Sequence, residues 1–148
     1  DLIDYSGLKP NPALGEAITA LPGRKFIFTN GDRGHAERTA RALGILDRFD
    51  DIFDIVAARL TPKPARETYD AFLGLHGIAS GNAVMFEDLP RNLVAPEALG
   101  MTTGLIVPRD FQPTFTETWE IDPEFTKSVD FVTDDLAGFL GKVRPPAQ

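Results

Sequence analysis

Apolar and polar positions along this chain fall into blocks that switch between two rhythms. Short, nearly continuous apolar runs ending in polar or turn residues have the pattern of buried parallel strands, whereas apolar positions three and four apart mark helices. Lys25 to Asn30 (KFIFTN) is the first such run and predicts a strand. A helix follows from near Asp32, carrying Ala36, Ala40 and Leu43 on one side, with Gly44 as its stop. Phe53 to Ala57 (FDIVA) predicts the next strand. Thr61-Pro62-Lys63-Pro64 is a rigid loop, because each proline fixes its own φ and restricts the residue before it. Ala65 to Leu75 has helical spacing in Tyr69, Phe72 and Leu73 and ends before Gly77. Ala83 to Phe86 (AVMF) is a third strand running directly into Glu87-Asp88. A helix over Pro90 to Leu99, closed by Gly100, and a strand over Thr102 to Val107 come next. After a less regular stretch, Val129 to Val132 predicts a strand and Asp134 to Lys142 a helix. Such repeated β-α units predict an α/β fold, a Rossmann-like open parallel sheet with helices on both faces.

Composition narrows the function classes. At 148 residues, with 43% hydrophobic and 25% charged positions, the chain is of ordinary globular make-up. A net charge of −7 argues against a nucleic-acid binder, which needs clustered Lys and Arg. There is no cysteine, so disulfides, thiolate metal sites and cysteine nucleophiles are excluded. Two histidines, His35 and His76, are too few for a histidine-rich zinc site. Apolar runs fall well short of the ~20 residues a membrane span needs, and a cytoplasmic protein without a membrane partner is expected. Asp1 is no initiator methionine, so a removed upstream segment is compatible with the sequence.

Active sites of open parallel sheets lie at the carboxyl ends of strands, and three segments meet that condition. Phe28-Thr29-Asn30-Gly31 ends a strand in a hydroxyl, an amide and a glycine. Thr29 can donate to a phosphoryl oxygen, and backbone amides at the turn can add to it, with Gly31 permitting close approach. A plain strand-end turn has the same composition. Lys63, held between prolines, loses little further entropy on meeting an anion and suits phosphate oxygens, although an exposed loop lysine reads alike. Glu87 and Asp88 directly after an apolar strand, with Asn92 a helical turn on, form an acidic pair that a cation would relieve. Hard oxygen ligands at low number suit Mg²⁺; the plainer alternative is that Asp88 caps a helix. Asp50-Asp51 and Asp134-Asp135 lack a preceding apolar strand of the same quality and read as solvated loop or cap residues.

In this order, strand-Thr-Asn-Gly, then Lys-Pro, then strand-Glu-Asp with Asn92 and Gly100-Met101-Thr102-Thr103, the chain resembles the haloacid dehalogenase superfamily. The segments KFIFTNG, FDDIFDI and FEDLPRNL look like its pyrimidine 5′-nucleotidase-like branch, and the likeness runs from about Leu8 to Leu140. The resemblance implies a phosphatase working through an aspartyl-phosphate intermediate, with Mg²⁺ neutralising the transferring group. It implies that Thr29, Asn30 and Gly31 bind the phosphoryl group. Lys63 would hold nucleophile and phosphate, Asp88 with Glu87 would anchor the metal, and Asn92 would support the loop. It further implies a phosphorylated small molecule, such as a nucleoside monophosphate, as substrate.

One motif of the resembling family is absent. Its first motif is an apolar strand ending Asp-x-Asp-x-Thr, whose first Asp attacks phosphorus and whose second is acid/base. Asp1 and Asp4 have the wrong spacing and no preceding apolar strand, and Asp32 and Asp54 lack the pattern too. Residues 1–18 are accordingly expected to be the remnant of a cap and its linker helix, residues 19–143 the core, and residues 144–148 a frayed tail. In the resembling fold the missing strand is the central one, between the strands ending at Thr29 and Glu87. The chain alone is expected to be inactive and its sheet completed by the missing N-terminal segment or a second copy, because exposed apolar edges are a liability. Two function classes stay open: a truncated metal-dependent phosphomonoesterase and a non-catalytic phosphate- or partner-binding module. A receiver-type phospho-acceptor fits less well, since it needs its lysine at a strand end and Lys63 lies in a proline loop. His35 and Arg33 either face a substrate or belong to the helix surface. Trp119, Phe111, Phe115 and Phe125 are expected to cover the sheet edge.

Overall fold

A computed structural model of the chain describes residues 3–109 and 129–143. The aromatic residues Phe111, Phe115, Trp119 and Phe125, together with Asp1 and the tail from residue 144, lie outside the described residues. The chain divides into two compact units, one of residues 1–60 with 136–148 and one of residues 61–135.

The first unit contains α1 (Pro12–Ala20), β1 (Phe26–Phe28), α2 (Arg33–Ala42), β2 (Asp51–Phe53) and, from the far end of the chain, α5 (Leu136–Leu140). Strands β1 and β2 are parallel, with Ile27 opposite Ile52 and Phe28 opposite Phe53. Helix α2 starts where an Asp N-cap and good spacing coincide: the Asp32 carboxylate accepts from the His35 amide at 2.9 Å. Its buried face is Ala36 and Ala40, four apart, and the helix packs on β2, where Ile52 is also buried. Helix α1 packs against α5.

The second unit is built from α3 (Arg66–His76), β3 (Val84–Glu87), α4 (Val94–Ala98), β4 (Thr102–Ile106) and β5 (Phe131–Thr133). All its pairings are parallel, in the order β3-β4-β5. Helix α3 buries Tyr69, Phe72 and Leu73 and ends on Gly77, whose φ of 61° is the left-handed conformation a helix C-cap favours. The fold is therefore the α/β type with parallel sheets flanked by helices.

Three elements depart from the sequence pattern. The FDIVA run is not a strand: β2 stops at Phe53, because the next residue, Asp54, turns its carboxylate onto the Ala57 amide at 2.9 Å. The chain then winds through turns closed by Ala58 N–H to Asp54 C=O and Leu60 N–H to Ile55 C=O. The helix over Pro90 to Leu99 is split into a 3-10 turn (Pro90–Leu93) and the short α4. Pro96 has no N–H to give the preceding turn, which favours the break. The last helix is shorter than its pattern, Leu136–Leu140.

Gly104 sets the spacing of β3 and β4. It lies opposite Phe86, and a Cβ placed there would come within 2.6 Å of the Phe86 ring. Gly104→Ala is therefore expected to lower the stability of the chain by about 1–3 kcal/mol, through displacement of that ring. Urea denaturation reads the loss; an unchanged midpoint would show that the ring moves aside at no cost.

Candidate functional site

The sequence-predicted residues are spread over both units. In the first, the end of β1 is held by hydrogen bonds from two directions. The Thr29 amide donates to Phe53 C=O at 3.0 Å, and Gly31 C=O accepts from the Ile55 amide at 3.1 Å. Within the turn the Thr29 hydroxyl oxygen accepts from the Gly31 amide at 3.0 Å. A hydroxyl that accepts in this way retains its single proton for another acceptor, so the turn presents an O–H donor. Asn30 is exposed at the tip.

Asp54 is the residue that pattern reasoning missed. It is 6% exposed, and its two oxygens join separate segments: one accepts from the Arg33 amide at the start of α2 at 3.0 Å, the other from Ala57. This carboxylate ties the first turn of α2 to the end of β2 and so fixes the Thr29–Gly31 turn from below. Only the run FDDIFD hinted at it, as an acid at the end of an apolar strand. Arg33 is engaged at the outer edge of β2, donating to Ile52 C=O at 2.6 Å and to the Asp51 carboxylate at 2.9 Å. Asp32 is held below the usual carboxylate range, chiefly by the amide of His35.

In the second unit, Lys63, Glu87, Asn92 and Tyr69 converge. The Lys63 ammonium and the Glu87 carboxylate form a buried ion pair, each side chain 7% exposed. Asn92 Nδ2 donates to the same Glu87 oxygen at 2.9 Å, and the amides of Asp88 and Leu89 donate to the other at 2.9 and 3.1 Å. The Glu87 carboxylate thus has four donors, as a buried charge requires. Burial alone would push it up, but Lys63 and these donors hold it below its ordinary value. Asn92 is itself 3% exposed, and its Oδ1 has no partner among the described residues. The Tyr69 hydroxyl donates to Asn92 C=O at 2.7 Å, and burial, with the Glu87 charge, pushes it up.

Asp88 behaves differently from its neighbour. It is exposed, and the Glu87 side chain beside it raises its carboxyl above the usual range. A nearby cation would offset that. No group of three or more His, Asp or Glu poised to hold a metal occurs among the described residues. The donors present nevertheless fit a Mg²⁺ bound through Asp88 with waters, since Mg²⁺ takes one or two carboxylates and keeps much of its hydration. Glu87 has its oxygens committed to Lys63, Asn92 and the amides.

Comparison with known proteins places the fold. A family model for haloacid dehalogenase-like hydrolase matches residues 1–100. Among solved structures, L-2-haloacid dehalogenase from Xanthobacter autotrophicus is similar at 19% identity and a TM-score of 0.71, over 97% of this chain and 64% of that one. A HAD family hydrolase from Deinococcus radiodurans R1, solved with bound phosphate and sodium, is 18% identical with a TM-score of 0.65, over 87% of this chain and 56% of that one. The β-phosphoglucomutase of Clostridium difficile is 18% identical with a TM-score of 0.60, over 92% of this chain and 54% of that one. The chain thus spans between about half and two-thirds of the length of these structures. No curated protein sequence matches it. Among the described residues, no helix is long and apolar enough to cross a membrane.

Proposed function

Because the chain belongs to the haloacid dehalogenase-like hydrolases, we propose that it is the core of a Mg²⁺-dependent phosphomonoester hydrolase of the pyrimidine 5′-nucleotidase-like branch. The observation that carries this reading is the buried Lys63, held by Glu87, which Asn92 holds in turn, beside an exposed carboxylate, Asp88. A fixed ammonium suits an anion that is transferred, and it is positioned before the anion arrives. Asp88 suits the metal, whose charge, when bound, neutralises the transferring phosphoryl group. In the first unit, the Thr29 hydroxyl and the Asn30–Gly31 backbone are donors of the kind that bind phosphoryl oxygens. Displacement of halide from carbon, the chemistry named for the Xanthobacter neighbour, builds no such polyanion and has less use for an acidic metal anchor.

Chemistry of this type needs a carboxylate that attacks phosphorus as the ester oxygen departs, followed by water that releases inorganic phosphate. No apolar strand ending Asp-x-Asp-x-Thr occurs in these 148 residues, so we place that carboxylate in a preceding segment of a longer protein. Among the described residues β1 pairs only with β2, and β3 only with β4, so each of these strands has an edge at which a further strand can add. A nucleoside monophosphate is the proposed substrate, with its pocket shaped by residues outside this chain. The second reading, a phosphate-binding module without turnover, is favoured by the same lack of a nucleophile.

Phosphate release from a panel of nucleoside monophosphates with Mg²⁺ separates these readings. The 148-residue chain alone is expected to show no turnover, and the longer protein carrying an Asp-x-Asp segment is expected to be active. In that longer protein Asp88→Asn is expected to lower kcat by about 10²-fold or more, a loss typical of a missing charge-stabilising group. Turnover by the verified chain alone, or an Asp88→Asn variant of full activity, would overturn the reading.

A further inference from the structure

The space above Gly31 has two walls. A Cβ built on Gly31 would lie 3.4 Å from the Thr29 hydroxyl oxygen and 3.5 Å from Cδ2 of His35. These are ordinary contact distances, so a methyl group there would occupy the gap between hydroxyl and imidazole without clashing. Cδ2 is bonded to Nε2 in the imidazole ring. The His35 ring thus borders the Thr29 turn through Cδ2, while Nδ1 lies against the Tyr5 hydroxyl at 2.7 Å.

The Tyr5 contact bears on the tautomer. Arg38 Nε donates to the Tyr5 oxygen at 3.4 Å, and its guanidinium lies 5.6 Å from the centre of the Tyr5 ring. With Arg38 donating to the oxygen, the Tyr5 hydroxyl can give its proton to the Nδ1 lone pair. The neutral imidazole then carries its own proton on Nε2. The Asp32 carboxylate, which accepts from the His35 amide, fixes the backbone of the same residue.

We infer that His35 is a substrate-binding residue of this site: its Nε2–H and the Thr29 hydroxyl flank Gly31 as paired donors to one anionic oxygen. Tyr5 and Arg38 are its positioning residues. The inference rests on the Thr29–Gly31 turn being the phosphoryl-binding turn.

The test uses the isotope-labelled 148-residue chain, inorganic phosphate as ligand and NMR as readout. The wild type is expected to show His35 as the Nε2–H tautomer and to shift the signals of Thr29, Gly31 and His35 on phosphate addition. His35→Ala is expected to weaken phosphate binding about fivefold, as loss of one charge-assisted hydrogen bond at a half-exposed position. His35→Gln, which keeps an N–H donor, is expected to recover most of it. Gly31→Ala fills the gap and should weaken binding with the fold intact. Tyr5→Phe should mix the two tautomers. Phosphate shifts at Thr29 and Gly31 together with unchanged affinity in His35→Ala, or an Nδ1–H tautomer in the wild type, would overturn the role of His35 alone. Absence of any phosphate shift at Thr29 and Gly31 in the wild type would overturn the reading of the turn, and the role of His35 with it.

Discussion

Replacing Lys63 with methionine is expected to lower the stability of the chain by about 3–5 kcal/mol, the usual cost of removing one partner from a buried ion pair. Both side chains are 7% exposed, so solvent screens the interaction little. The loss would come mainly from Glu87, which keeps its bonds from Asn92 and two amides but no longer faces a cation. Replacing both members by apolar residues of similar size is expected to cost less than Lys63→Met alone, because no charge then stays buried. Denaturant titration of the two variants measures the difference. A Lys63→Met variant within about 1 kcal/mol of wild type would show that the pair is solvated in solution.

The same pair makes a pH prediction whose sign follows from its shift. Glu87 is held below its ordinary value of 4.5, so the unfolded chain takes up this proton at a higher pH than the folded chain does. Its contribution is complete above 4.5 and is lost as pH falls through the lowered folded value. In Lys63→Met that slope is expected to weaken or reverse, since burial then dominates and favours the protonated form. Stability measured across the acid range in both proteins reads this directly.

Phe53→Ala is expected to be as damaging, at about 3–5 kcal/mol, the range for deleting a buried phenylalanine. Phe53 is 1% exposed and meets Phe28 edge to face, with ring centres 5.0 Å apart and an interplanar angle of 80°. The pair lies directly before Thr29 and Asp54, the residues that shape the turn. The Thr29 amide also donates to the Phe53 carbonyl. Removing the ring should therefore loosen the turn as well as the core, and faster amide exchange at Thr29 would accompany the lost stability. A loss of about 0.5 kcal/mol or less, the range of neutral surface changes, would mean that Phe28 and its neighbours refill the space.

Much of this architecture could be read from the chain alone, for reasons visible in particular residues. The run FIF predicts a strand because only an element buried on both faces has use for three consecutive large apolar side chains. Asp32 and Gly77 punctuate helices by local chemistry, a capping carboxylate at one end and a left-handed turn at the other. Alternation along β3 already places Glu87 on the same side as Met85, and both are buried. Local rules failed where a distant segment decides. FDIVA has strand composition, yet Asp54 finds amides at Ala57 and Arg33, and those bonds bend the chain away from the sheet.

The sequence by itself determined the order of strands and helices, the fold class, and which residue types stand at the strand ends. Those depend on periodicity and on interactions within a few residues. Tertiary structure alone decided how the acidic pair divides its work. Glu87 points toward Lys63, 24 positions away, and toward Asn92, whereas Asp88 is exposed. It likewise decided that Tyr5 meets His35 across 30 positions. The physical reason is the same in both cases: a charged or polar group takes its role from the partners that replace its water, and chain folding, not neighbouring sequence, selects those partners.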